Sequence, residues 1–216
     1  MAKLTDLGFS KGVVFEVIVT TNNENGTPNA APMGAIMKNP QNLSLNLYNS
    51  SLTCYNLKAN KCAVINLTDD IEAFYKTAFK EANPDGKLPQ DWFKKADTIN
   101  APRLRLADAN IDVTVSLIEP IGVEKSEFLC NIERINASKI FPKVYSRARS
   151  ATLEAIIHAT RIKVQFKDEE KKAQIVQLLG SIEHCNNIVK RTAPSSVYSA
   201  VMSDLMKRID SWSNIP

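Results

Sequence analysis

Apolar and polar residues alternate most regularly in the first 135 positions, with the two-residue period of strands that bury one face. Residues 12–21, Gly-Val-Val-Phe-Glu-Val-Ile-Val-Thr-Thr, are rich in β-branched side chains and bounded by a glycine and an Asn pair, which predicts a strand. Asn25-Gly26 supplies the positive φ angles of a tight reversal, so residues 28–38 are predicted to fold back antiparallel. After a turn over 38–42, Leu43, Leu45 and Leu47 alternate with Ser44, Asn46 and Tyr48, a strand with one apolar and one polar face. Further strands are predicted over 62–67, 111–118 and 126–135. A short helix over 51–60 takes Ser50 or Ser51 as its N-cap, and a second amphipathic stretch capped by Asp69 or Asp70 runs to Phe79. Residues 83–89, with two prolines and a glycine, read as a surface loop or lid.

Beyond residue 136 the period lengthens to that of helices. Ala148, Ala151, Leu153, Ile156, Ile157 and Thr160 recur at helical spacing within 144–164, and two more helices are predicted over 169–182 and 195–212. Six or so strands in a row with short links favour an antiparallel barrel over a parallel α/β sheet. The fold class is therefore α+β, with a barrel domain over 1–135 followed by a small helical domain over 136–216.

Composition adds limits. In 216 residues, 44% hydrophobic side chains can form a core without disulfides or metals. The apolar runs are far shorter than the roughly 20 residues of a spanning helix, and residues 1–8 lack the apolar centre of a secretory signal, so a cytoplasmic protein is expected. Cys54, Cys62, Cys130, Cys185, His158 and His184 show no metal-ligand spacing, and the first three sit among apolar neighbours as small core residues. The net charge of +4 is uneven: residues 142–216 hold 12 Lys or Arg against 7 Asp or Glu. These cations are spread rather than clustered and accompany no recognition motif, which argues against nucleic-acid binding.

No nucleophile elbow, phosphate loop or dinucleotide fingerprint is present. His158, four residues after Glu154, reads as ordinary helix pairing, and no side chain is assigned as a catalytic acid or base. Such a chain suits chemistry carried by a cofactor that the protein binds and orients. In residues 48–57 a strand end is followed by hydroxyls at a helix start, where free N–H groups and the positive dipole end favour a phosphate. Ser50, Ser51 and Thr53 would donate to it; ordinary N-capping is the alternative. In residues 27–34 the small residues Ala30, Ala31 and Gly34 around Pro32 leave room for a flat ligand, or mark an edge strand or bulge.

Three stretches carry a resemblance: Val17-Ile-Val-Thr-Thr-Asn-Asn-Glu-Asn-Gly-Thr-Pro-Asn-Ala-Ala-Pro-Met-Gly34, Ser50-Ser-Leu-Thr-Cys-Tyr-Asn-Leu57 and Val64-Ile-Asn-Leu-Thr-Asp-Asp70. They resemble the FMN-binding split barrel of the flavin-reductase and pyridoxamine-phosphate-oxidase group. With Ser146-Arg-Ala-Arg-Ser-Ala-Thr-Leu-Glu-Ala-Ile-Ile-His-Ala-Thr-Arg161, nearly the whole chain is similar to a prokaryotic flavoprotein family that joins such a barrel to a helical domain. The resemblance implies a homodimer with FMN in a groove at the subunit interface. It implies that Pro32, Met33 and Gly34 touch the ring, that Ser50, Ser51, Thr53 and Asn56 meet the phosphate or ribityl chain, and that Asn46 joins them.

The activity so implied is an FMN-dependent oxidoreductase of the flavin-reductase class, with a reduced nicotinamide or deazaflavin donor and an unassigned small-molecule acceptor. The alternative is a non-catalytic flavin-binding or partner-binding module. Pyridoxamine-phosphate oxidases carry Ser-Arg-Lys at this helix start, whereas this chain has Ser51-Leu52-Thr53, so two phosphate-binding cations are missing. Lys38, Arg103, Arg105 or a residue of a partner subunit could replace them. Arg147, Arg149, Glu154 and Arg161 read as a salt-bridged helix face, and Trp92 and Phe93 as anchors of a loop.

Overall fold

A computed structural model of the chain describes residues 2–9, 11–12, 14–137 and 147–213. Six antiparallel strands form a closed barrel: β1 (Val14–Asn22), β2 (Pro28–Asn39), β3 (Asn42–Tyr48), β4 (Cys62–Leu67), β7 (Ala109–Ile121) and β8 (Lys125–Ala137), in the spatial order β1-β2-β3-β8-β7-β4. The short pair β5 (Phe93–Lys95) and β6 (Pro102–Leu104) was not anticipated by periodicity, since three residues are too few to show a period. Phe93 is buried, as an anchor should be.

The barrel follows from alternation. Val17 and Val19, Ala35 and Met37, Leu43, Leu45 and Leu47, Ala63 and Ile65, Ile111 and Val113, and Phe128 and Cys130 all point inward to one core. Helix α1 (Leu52–Asn60) closes one end by inserting Cys54 and Leu57 into it. Residues of the opposite parity on β1, β4 and β7 are covered from outside by residues 96–104. There the fully buried Asn66 binds the strands together. Its Nδ2 donates to the Ile18 carbonyl at 2.8 Å and Thr20 Oγ1 at 3.0 Å, and its Oδ1 accepts from the Leu104 N–H at 2.9 Å and Asn110 Nδ2 at 2.8 Å. A buried amide with both ends satisfied is what such a position requires.

The chain forms two compact units. The helical unit holds α3 (Arg147–Gln165), α4 (Lys172–Thr192), α5 (Val197–Ser213) and, in addition, the excursion 70–79 with α2 (Ile71–Ala78), capped by the Asp70 carboxylate as expected. Local periodicity marks this stretch as a helix but does not say against what it packs, so the helical unit takes residues 70–79 from within the 1–135 expected for the barrel. Helix α3 buries Ala148, Ala151, Thr152, Ala155, Ile156, Ala159 and Ile162. This alanine-rich stripe lies slightly round the helix from the larger residues Leu153 and Ile157, which are only half-buried. Helix α4 continues ten residues past the expected Ile182, because Cys185 and Val189 extend its buried face. The predicted start of α3 at 144–146 lies outside the described residues.

Within this unit, the ring of Phe79 meets Tyr75 and Trp212, with centroids 5.5 and 5.9 Å away, and Lys163 Nζ lies 5.5 Å from the centre of the Phe79 ring. The Tyr75 hydroxyl donates to Asp204 Oδ2, and Arg208 Nε donates to both. Burial first, and the neighbouring carboxylate second, hold the Tyr75 hydroxyl protonated well above the usual phenol range.

The core predicts a contrast. Phe128→Ala should cost about 3–5 kcal/mol through transfer and cavity terms, whereas Val123→Ser, at a hairpin tip where the side chain is 95% exposed, should change stability by less than about 0.5 kcal/mol. Urea unfolding of both variants checks this.

Candidate functional site

The site is built where two neighbouring strands part. β2 pairs with β1 along its length from Pro28↔Asn22 to Ile36↔Val14, but with β3 only from Asn39↔Asn42 back to Ala35↔Leu45. One further step of register would set Gly34 against Asn46, and there the ladder stops. Residues 28–34 thus have β1 on one side and, among the described residues, no strand on the other. Their outward N–H and C=O groups have no strand partner among the described residues, and unpaired strand edges seek partners.

The sequence-predicted ring contacts lie on this edge. Pro32 and Gly34 face away from the core, while the Met33 side chain packs against it, so Met33 offers that edge its backbone. Gly34 also has a packing reason to be glycine: an added Cβ would come within 2.7 Å of Val14 Cγ1. Asn46 is exposed on the outer face of β3, with no side-chain partner among the described residues.

The predicted phosphate contacts divide. The Ser51 hydroxyl accepts from the Cys54 N–H at 3.2 Å and donates to the Tyr48 carbonyl at 2.8 Å, so it is the N-cap of α1. Ser50 is exposed and makes no side-chain bond among the described residues. Leu52 and Thr53, the first two residues of the helix, present N–H groups without an intrahelical acceptor.

Thr53 and Asn56 are buried in a polar cluster that closes the barrel end beside Cys54 and Leu57. Asn56 Nδ2 donates to Thr21 Oγ1 at 3.0 Å and Asn23 Oδ1 at 2.9 Å, a role in tying α1 to β1. Asn29 Nδ2 donates to Thr21 Oγ1 and to Thr53 Oγ1, both at 3.2 Å. A groove of about 410 Å³ borders the same helix, lined by Asn23, Glu24, Asn25, Leu52, Tyr55 and Asn56.

Cations are distributed otherwise than expected. Lys38 pairs with Glu127 at 2.6 Å, and that hydrogen bond holds the Glu127 carboxyl below the usual range. Arg103 pairs with Asp97 at 3.0 Å, and Arg105 Nε donates to the Phe93 carbonyl at 3.0 Å. Lys38 also lies nine residues along β2 from Asn29, about 30 Å of strand. The residue that sequence reasoning missed is Lys80, whose Nζ donates to Asn29 Oδ1. No motif marks it, because 51 residues separate it from Asn29.

Chemistry elsewhere is quiet. All four cysteines are free and buried, with burial pushing the Cys130 thiol up to about 12. His158 pairs with Glu154 at 3.4 Å, as helix spacing suggests. Among the described residues no His, Cys, Asp or Glu group could hold a metal, and no helix is long and apolar enough to cross a membrane.

Comparison with known proteins bears on this geometry. The family model for the N-terminal domain of DUF447, described as a protein of unknown function, matches residues 15–138. An FMN-bound protein of Methanosarcina mazei that carries the same family model is 22% identical. It aligns over 94% of this chain and 98% of its own, with a TM-score of 0.77. Nitrilotriacetate monooxygenase component B from Bacillus cereus is 16% identical over 68% of this chain and 82% of its own, with a TM-score of 0.51. No curated protein matches. These likenesses establish the expected fold, the antiparallel barrel followed by helices.

The two serines should behave differently. Ser51→Ala should lower stability by about 1 kcal/mol through loss of the cap, and Ser50→Ala should leave it unchanged. Thermal unfolding of the two variants side by side measures the difference.

Proposed function

The chain belongs to the DUF447 family, and from that premise we propose that it binds FMN non-covalently and works as an oxidoreductase of the flavin-reductase-like class. The observation that carries this reading is the parting of β2 from β3 at Ala35↔Leu45, beside the first turn of α1, where the Leu52 and Thr53 N–H groups have no intrahelical acceptor. A ligand suited to this place has a flat, polar-edged part for the strand edge and an anionic end for the helix start. About 10 Å of strand separates Asn29 from Pro32, which suits a flavin mononucleotide lying along β2. The FMN in the M. mazei relative supports the same assignment.

The residues fit the cofactor in kind. The backbone of 32–34 would offer hydrogen-bonding groups to the ring edge, and Asn46, one residue past the last β2–β3 pair, would join them. Ser50, with the N–H groups of Leu52 and Thr53, would take the phosphate. Ser51 and Asn56 serve by fixing the helix that presents those donors. Bound flavin supplies hydride and electron transfer; the protein orients it, tunes its ring by backbone hydrogen bonds and excludes water from one face. No side chain is asked to move a proton, in keeping with buried, inert thiols and a helix-paired histidine.

A homodimer with the cofactor between subunits is part of the proposal. Leu52 and Tyr55, 47% and 55% exposed on the outer side of α1, would be covered by it. The proposed donor is a reduced nicotinamide or deazaflavin, and the acceptor a small molecule.

Purified protein should be yellow or take up added FMN, giving a flavin absorption spectrum and a chromophore that is released on denaturation and identified as FMN. A colourless protein that does not take up FMN overturns the reading. Reduction of bound FMN by NADH or NADPH with turnover to an added acceptor is the result expected of the enzyme; tight binding without turnover with any donor would instead identify a flavin-holding module.

A further inference from the structure

We propose that Lys80 is the cation that receives the flavin phosphate, held in place by Asn29 beside the first turn of α1. This assignment rests on the FMN reading above and names the group that the helix start lacks.

The argument begins with charge. The three cations nearest to hand in the sequence are engaged elsewhere, by Glu127, by Asp97 and by a backbone carbonyl. Lys80 is only partly exposed, and its ammonium makes one hydrogen bond, to the neutral Oδ1 of Asn29. Among the described residues no carboxylate pairs with it. Removing an ammonium from water without a counter-charge is costly, and that cost shows as a Lys80 pKa pulled below the ordinary lysine value by burial. An arriving anion supplies the missing partner. Two of the three ammonium protons have no acceptor among the described residues, enough for two oxygens of one phosphate.

Position selects phosphate. Asn29 is 1% exposed, and its two ends have different tasks: Oδ1 receives Lys80, while Nδ2 donates to Thr53 Oγ1 at 3.2 Å. One amide group therefore separates the ammonium from the second residue of α1. The Lys80 ammonium and the Thr53 hydroxyl, on the first turn of α1, are thus joined through one buried side chain. A cation and a helix start converging in this way make a charge-assisted site. The loop that brings Lys80 here follows the α2 excursion, where the chain re-enters the barrel unit.

Riboflavin, which has the ring and ribityl chain but no phosphate, separates this role from a structural one. FMN and riboflavin are titrated against wild-type, Lys80→Met and Lys80→Arg protein by quenching of flavin fluorescence. Wild-type protein should bind FMN more tightly than riboflavin. Lys80→Met should weaken FMN binding by about 10- to 100-fold, the size of a lost hydrogen bond to a charged group. Riboflavin binding should change by less than about twofold, and Lys80→Arg should keep most of the FMN affinity.

Equal weakening of both ligands, or unchanged FMN binding in Lys80→Met, overturns the assignment and leaves the flavin reading intact. Wild-type protein that binds neither ligand overturns both. Should Lys80→Met fail to fold, the wild-type pH profile decides. FMN affinity should be full while Lys80 is protonated and fall as pH rises through its depressed pKa, below the ordinary 10.5. The riboflavin profile controls for ionisation of the ring; parallel profiles for the two ligands overturn the proposal.

Discussion

A strand inside a barrel must hydrogen-bond on both sides, and β2 has β3 as a partner only from Asn39 back to Ala35. Its remaining seven residues keep β1 and lose β3, and much of the barrel unit answers that constraint. Helix α1 enters at the end of β3 and closes the core with Cys54 and Leu57. Because a helix cannot complete a strand ladder, it is tied on by side chains: Asn56 to Thr21 and Asn23, Thr53 to Asn29. The edge left over is polar backbone, with small or outward-facing residues, next to the positive end of a helix. The proposed flavin site is a by-product of how the barrel is closed.

The same economy explains why so few of the expected site residues act alone. Ser51 is occupied in capping and Asn56 in docking, and each is needed if the helix start is to stay in place. Met33 contributes side chain to the core and backbone to the edge. Gly34 is small partly because Val14 Cγ1 occupies the space where its Cβ would lie. Residues that read as one binding motif in the sequence therefore separate into those open to a ligand and those that hold the others still, a supporting shell on which precise sites depend.

The helical unit is held by different means. The buried face of α3 carries four alanines among its seven residues, which let helices approach closely, and the aromatic contacts of the unit involve Tyr75, Phe79 and Trp212, residues more than 130 positions apart at the extremes. The Tyr75, Asp204 and Arg208 group joins the excursion to the last helix through satisfied, half-buried polar atoms. Periodicity revealed each helix, yet nothing local showed that 70–79 belongs with residues far beyond it.

What the sequence determined by itself was everything governed by neighbours in the chain. The alternation of Leu43, Leu45 and Leu47, the reversal at Asn25-Gly26, the narrowing of each cap to one of two neighbours and the burial of Cys54, Cys62 and Cys130 all depend on residues within a few positions, and all appear in the structure, with Ser51 and Asp70 as the caps. The tertiary structure decided where the ladder between β2 and β3 stops, which way Met33 turns, and which cation stands by Asn29. Strand parting depends on register between chains, and the meeting of Lys80 with Asn29 spans 51 residues that no local period connects. Short-range preferences write themselves into sequence pattern; long-range electrostatics appears only once the chain has brought distant charges and amides to the same barrel end.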